Sequence, residues 1–243
     1  KKTMKIRVFT DKKISNENEI LLSAEETKYL KIMRVKANEK LELFGADNYA
    51  NAEFLQFNNN LAKLKILDKC LYKKNKTQLT AIQCITEFHK PELIAQKFTE
   101  LGIDEIVFVE SDKSKKINAV KKLRIMRAVI EGIRQCRRYS QPALVFANLK
   151  EYLLNIISNS KKNDHNNNIF VLSPDAKFLN LDNIGCYDNV YFIIGPESGF
   201  SNDEYAFFKN NNFSEFSINK NILRAETSAI AAAAIFGLLA SKF

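Results

Sequence analysis

Along residues 4–72 the apolar positions alternate with polar ones in short runs: "KIRVF", "KLELFGAD", "NAEFLQF" and "LAKLKIL". Side chains on a strand point alternately to its two faces, so each run predicts a half-buried strand, cut by Gly, Asn or Asp. One segment there, "SAEETKYLKIMRV", has helical spacing, and Ser23 with Glu26 forms a capping box at its start. The expected unit is a small β-rich domain over residues 1–72, followed by a polar linker, "YKKNKTQ", over Tyr72–Gln78.

From Leu79 the pattern changes. "LTAIQCIT" is a continuous apolar strand, and Pro91 suits the first turn of a helix. Leu93, Ile94, Phe98 and Leu101 recur at helical spacing as a buried stripe, Gly102 ends the helix, and "EIVFV" is the next strand. A helix over 119–139, the strands "IFVLS" and "VYFIIG", a helix from Ser201, the strand "EFSI" and a last helix from Glu226 continue the alternation. The fold class is therefore α/β with a mainly parallel sheet, in a second domain over residues 78–243. "SNSKKNDHNNN" (158–168) is expected to be a polar surface loop.

Charge separates the two parts further. Residues 1–138 hold 29 Lys and Arg against 18 Asp and Glu, whereas residues 139–243 hold 8 against 10. A polyanion such as nucleic acid is the expected partner of the first part. Arg124, Arg127, Arg134 and Arg138 belong to one arginine-rich helix, with Arg137 beside them, and Arg7, Phe9 and Arg34 mix cations with an aromatic on the β-rich domain. Guanidinium groups fork onto phosphate and stack on bases, so these arginines are candidates for RNA binding. The cysteines are single and far from both histidines, so neither a disulfide framework nor a metal site is expected. No stretch is apolar enough for a membrane span, and "KKTMKIRVFT" lacks the apolar core of a secretory leader, so a cytoplasmic location is expected.

Only 7 Gly and 4 Pro occur, yet turn-forming and small residues crowd into two places. In "YFIIGPESGFSNDE" a buried strand ends at Gly195, Pro196 fixes a turn, Gly199 permits another, and Ser201 with Glu204 caps a helix. In "INKNILRAETSAIAAAAI" a strand again leads through a loop into a helix rich in Ala. Ligands of open α/β sheets bind beyond the carboxyl ends of strands, which is where both stretches fall. Arg224 and Glu226 are a charged pair at the second turn and form either a site or a structural ion pair. Neither a GxGxxG nor a Walker motif is present, so a nucleotide-phosphate cradle of those kinds is not expected.

"IGPESGFSNDE" followed by "SINKNILRAETSAIAA" resembles the pattern GPEGGxxxxE … LGxxILRxETA of the RsmE-type ribosomal RNA uridine-N3 methyltransferases, members of the SPOUT class. "KPELIAQKFTELGIDEIVFVESDKS" resembles another segment of that family, and the N-terminal strands resemble its PUA-like β-barrel domain. The resemblance implies a trefoil knot in the C-terminal domain, S-adenosyl-L-methionine as cofactor, and a homodimer acting on small-subunit ribosomal RNA, in the assembled particle. It implies cofactor contacts from Leu172, Ser173, Ile194, Gly195, Pro196, Glu197, Gly199, Ile218, Asn219 and Leu223. Arg224 is then the candidate stabiliser of the uridine anion and Glu226 the candidate base. The chain departs from the pattern at Ser198 and Asn219, which replace glycines, and at Ala225, Arg134 and Arg137. Two alternatives stay open: methylation at another atom such as a ribose 2′-OH, or a non-catalytic RNA-binding assembly factor.

Overall fold

A computed structural model of the chain describes residues 6–240, except 11, 13, 15–17, 46–47, 72–75, 88, 137, 139, 164–166 and 180–186, with backbone alone at 48, 70, 71, 161–163 and 167. Arg137 and part of the expected linker therefore lie outside the described residues. The chain divides into two compact units, residues 1–74 with 133–141, and residues 75–132 with 142–243.

The first unit is built on strands β1 (Ile6–Phe9), β2 (Glu19–Leu21), β3 (Lys40–Phe44), β4 (Asn48–Asn58) and β5 (Leu61–Leu71), in the order β1-β3-β4-β5-β2. β1 runs parallel to β3, and the other pairs are antiparallel. The β4–β5 hairpin turns at Asn59 and Asn60, both left-handed with φ 46° and 63°, as tight hairpins favour. Helix α1 (Ala24–Ile32) starts at the expected capping box: the Glu26 N–H donates to Ser23 Oγ at 3.3 Å, and the Ser23 N–H donates to Glu26 Oε2 at 2.6 Å. Alternate residues of the strands, with Leu22 and Leu30, form the core.

Arg7 is a correction to the sequence reading. It lies in this core, 5% exposed, and is not on a surface that RNA can reach. Its guanidinium donates to Glu42 Oε2 at 3.1 Å, to the Ile133 carbonyl at 3.0 Å and to the Arg138 carbonyl at 2.8 Å, above the Phe44 ring. A residue of β1 thereby holds the 133–141 segment. Arg134 is half-buried, with its guanidinium 4.6 Å from the centroid of the Tyr29 ring, and Arg138 Nε donates to Ser140 Oγ at 3.2 Å. Arg34, Arg124 and Arg127 are exposed.

The second unit contains β6 (Gln78–Cys84), α2 (Lys90–Glu100), β7 (Glu105–Glu110), α3 (Ala119–Cys136, its last turn grouped with the first unit), β8 (Ala143–Asn148), α4 (Leu149–Asn163), β9 (Asn167–Leu172), β10 (Asn189–Ile194), α5 (Asn202–Asn210), β11 (Ser214–Phe216) and α6 (Ala225–Ala240). All six strands are parallel, in the order β11-β9-β10-β6-β7-β8. β8 and α4 had no counterpart in the sequence reading, and residues 158–163, expected as loop, complete α4. Leu93 is 42% exposed, so the stripe of α2 is narrower than its spacing predicts.

One face of the sheet packs Ile82, Val107, Val171 and Ile193 with Leu153 of α4 and Phe208 of α5. On the other face Phe236 of α6 stacks on Phe192 at 4.9 Å and meets Phe170 and Phe216. Small residues let α6 approach α2 closely: a Cβ on Gly237 would come within 3.0 Å of the Leu101 carbonyl.

The buried position of Arg7 gives a first test. Arg7→Ala removes a buried guanidinium that serves Glu42 and two backbone carbonyls, so it should cost about 3–5 kcal/mol in urea unfolding. The salt dependence of RNA binding by the remaining folded protein should not change. A fully stable variant with weakened RNA binding would return Arg7 to the RNA surface.

Candidate functional site

The largest turn-rich cluster of the sequence becomes a cavity of about 430 Å³ in the second unit. Three loops wall it, each leaving the carboxyl end of a parallel strand: Leu172–Pro174 after β9, Ile194–Phe200 after β10, and Ser217–Ala225 after β11, with Lys90, Tyr205 and Ser228 completing the lining. Strand order reverses at β6, from which β7 and β8 lie to one side and β10, β9 and β11 to the other. Such switch points open a crevice between divergent loops.

The β10 loop is held tightly. The Gly199 N–H donates to the Pro196 carbonyl at 2.9 Å, and Gly199 has φ +69°, a left-handed conformation that costs other residues strain. A Cβ on Gly199 would touch nothing within 4 Å, so the need for glycine is conformational rather than steric. Gly195 differs: a Cβ there would meet the Phe200 ring at 3.1 Å. Ser201 and Glu204 form the expected capping box of α5. The loop is also tied to the segment after β7: Lys113 Nζ donates to the Phe200 carbonyl at 2.9 Å, and Ser201 Oγ donates to Asp112. Ser198 Oγ donates to the Lys113 carbonyl at 3.3 Å, so this departure from the family pattern is turned out of the cavity. Asn219 lines the cavity, and its Oδ1 accepts the Asn221 N–H at 2.9 Å.

The ten residues expected at the cofactor, Leu172, Ser173, Ile194, Gly195, Pro196, Glu197, Gly199, Ile218, Asn219 and Leu223, all line this one cavity, and so does Arg224. Glu226 does not. Nor do Arg224 and Glu226 pair with each other. The Glu226 carboxylate is 3.3 Å from Lys90 Nζ, while Arg224 is exposed and makes no ion pair among the described residues. Lys90 also donates to Glu197 Oε1 at 3.1 Å, an oxygen that accepts the Glu87 N–H at 3.2 Å as well. One ammonium therefore joins a carboxylate of the β10 loop to one in the first turn of α6. Its hydrogen bond to Glu197 raises the Lys90 pKa despite burial, and Glu226 adds to the effect. Burial pushes the Glu197 carboxyl up, but the N–H groups of Glu197 and Glu87 and the Lys90 ammonium outweigh it and hold its pKa below the ordinary value.

Lys90 is the site residue that sequence reasoning missed. The signal available was its place at the start of the "KPELIAQK" segment, which resembles a segment of the family. Among the described residues no group of three His, Cys, Asp or Glu side chains is arranged to hold a metal, and no helix is long and apolar enough to cross a membrane.

Residues 73–237 match the RNA methyltransferase domain family. Ribosomal RNA small subunit methyltransferase E of Buchnera aphidicola subsp. Schizaphis graminum is 31% identical over 88% of this chain and 87% of its own length. The protein of that name from Rickettsia conorii is 28% identical over 97% and 96%. A crystal structure of ribosomal RNA small subunit methyltransferase E from Neisseria gonorrhoeae, bound to S-adenosyl methionine, superposes with a TM-score of 0.81 over 97% of this chain and 98% of its own, at 23% identity. The chain belongs to the RNA methyltransferase family, in the group of ribosomal RNA small subunit methyltransferases E.

Proposed function

We propose that this protein transfers a methyl group from S-adenosyl-L-methionine to N3 of a uridine in the RNA of the small ribosomal subunit. The observation that carries the reading is the convergence of the three loops on one cavity, in a chain related along nearly its whole length to enzymes of that name. The cavity suits the cofactor. Its size is within the range of small-molecule sites, Leu172, Ile194, Leu223 and Pro196 supply apolar walls, and the turns expose backbone polar groups. When bound, the cofactor supplies an electrophilic methyl carbon. The chain's part is to orient the base against that carbon, to exclude water, and to place the exposed Arg224 guanidinium where negative charge develops on the ring.

Three further features belong to the proposal. The segment from β9 onward threads as a trefoil knot, as the resemblance to the family implies. The protein is a homodimer, for which the exposed Leu238 of α6 and Ile222 at the rim of the cavity supply apolar contact surface. It acts in the cytoplasm on the assembled subunit. Mass mapping of ribosomal RNA from cells lacking the protein is the direct test: one N3-methyluridine should be missing from the small subunit. A missing ribose methyl would redirect the reading to the 2′-OH, and an unchanged map would leave a binding protein.

Gly199→Val strains the left-handed turn, so calorimetry should show cofactor binding lost while the far-UV spectrum stays native; unchanged affinity would remove this turn from the site. Arg224→Ala should lower the methyl-transfer rate by roughly a hundred- to a thousand-fold with little change in cofactor affinity, and normal turnover on small subunits would remove Arg224 from catalysis. Replacing Arg124 and Arg127 by Ala should flatten the plot of log K against log salt, on single-stranded RNA, by about 0.7 for each phosphate no longer neutralised. An unmoved slope would make that face of α3 merely solvated.

A further inference from the structure

Lys90 and Arg224 are the two cations in the lining of the cavity among the described residues, and they come from opposite ends of the second unit's sequence. We infer that Lys90 is a second catalytic residue, which together with Arg224 holds the N3-deprotonated uridine, so that the pocket works without a protein general base. The inference rests on the proposal that uridine N3 is the methyl acceptor.

The N3–H of uridine lies between two carbonyl groups, and loss of its proton spreads the charge over O2 and O4. N–H donors and cations at those oxygens stabilise the anion in a site that excludes water. A lysine ammonium has three N–H groups. One is donated to Glu197 Oε1 at 3.1 Å; Glu226 Oε2 lies at ion-pair distance, 3.3 Å, without accepting a hydrogen bond, so N–H groups remain for the cavity that Lys90 lines. The two carboxylates also fix the ammonium in place. Without them a lysine side chain is free to sample many rotamers.

The other titratable groups fit a base-free pocket. Glu226, the carboxylate expected as base, does not line the cavity, its side chain is 17% exposed, and its buried Oε2 faces the Lys90 ammonium at 3.3 Å as an ion pair. Glu197 lines the cavity, but it is bonded to the Glu87 N–H and to Lys90 and is held below the ordinary carboxyl range, which makes it a poor proton acceptor. Glu87 is paired with Lys115 at 3.0 Å. Tyr205 packs its ring edge-on against Phe200. Lys90 itself has its pKa raised, first by its hydrogen bond to Glu197, so it is a cation through the neutral range. In the balanced step, hydroxide from solvent takes the N3 proton. The N3 electron pair then forms the N–CH3 bond, the S–CH3 pair returns to sulfur, and neutral N3-methyluridine and S-adenosylhomocysteine leave.

Small subunits from cells lacking the protein serve as substrate. With them kcat/KM should climb about tenfold per pH unit from about pH 6 to about pH 8, in the wild type and, at a lower level, in Glu226→Gln. A plateau above the carboxyl range that vanishes in Glu226→Gln would overturn the inference in favour of a carboxylate base. Lys90→Met should lose roughly a hundred-fold or more in rate at saturating cofactor with a native far-UV spectrum, and Lys90→Arg should recover part of it. A second readout needs no turnover and no bound cofactor. An RNA oligonucleotide with 5-fluorouridine, whose N3–H is more acidic, should bind the wild-type protein more tightly than the uridine oligonucleotide, and the advantage should grow with pH. Lack of any preference in the wild type would overturn the inference even if Lys90→Met failed to fold. N3-methyluridine in the product with normal turnover by Lys90→Met would overturn this inference alone, whereas a methyl on another atom would overturn the N3 reading and the inference with it.

Discussion

The site depends on the order in which the chain lays down its parallel sheet. β6 comes first in the second unit, β7 and β8 are added along one edge, and β10, β9 and β11 occupy the other. Parallel strands leave all their carboxyl ends on one side, and a reversal of order makes neighbouring loops diverge. The loops after β9, β10 and β11 open at that end, and a cavity is the geometric result. The aromatic packing of Phe192, Phe170 and Phe216 against Phe236 holds α6 on the sheet and so fixes where the last of these loops must return.

Polar contacts then set the loops within that frame. The β10 loop is bonded to residues of the β7–α3 segment through Phe200, Ser198 and Ser201. Lys90 joins the same loop to α6 by contacting Glu197 and Glu226. A half-buried ammonium between two carboxylates is a demanding arrangement, since removing the ammonium leaves two carboxylates without their cation. Its value lies in geometry. The β10 loop and the first turn of α6 are held in fixed relation to each other and to the start of α2.

Arg7 plays a comparable part in the first unit. A guanidinium has five donors in a rigid plane and can satisfy several acceptors at once. In the first unit it meets one carboxylate and two carbonyls of the 133–141 segment while stacking over Phe44. This use of an arginine is indistinguishable, in a list of basic residues, from one that faces nucleic acid.

Much of this was legible before any coordinates. Both capping boxes, the βαβ alternation and the two turn-rich stretches follow from signals carried within a few residues, namely side-chain period, a helix cap and the conformational demands of Gly and Pro. The cavity-lining residues were named through the resemblance to a family, whose motifs are contiguous in sequence. Tertiary structure decided the rest. Residues 158–163 are rich in polar side chains but are helical, because Leu149, Leu153 and Ile156 anchor α4 on the sheet. The burial of Arg7 comes from a segment more than a hundred residues away, and the choice of Lys90 over Arg224 as the partner of Glu226 comes from the packing of α2 beside α6. Local pattern determined which elements form and where they turn. Which charge meets which depends on distances between elements, and those are set only when the sheet and its helices have packed.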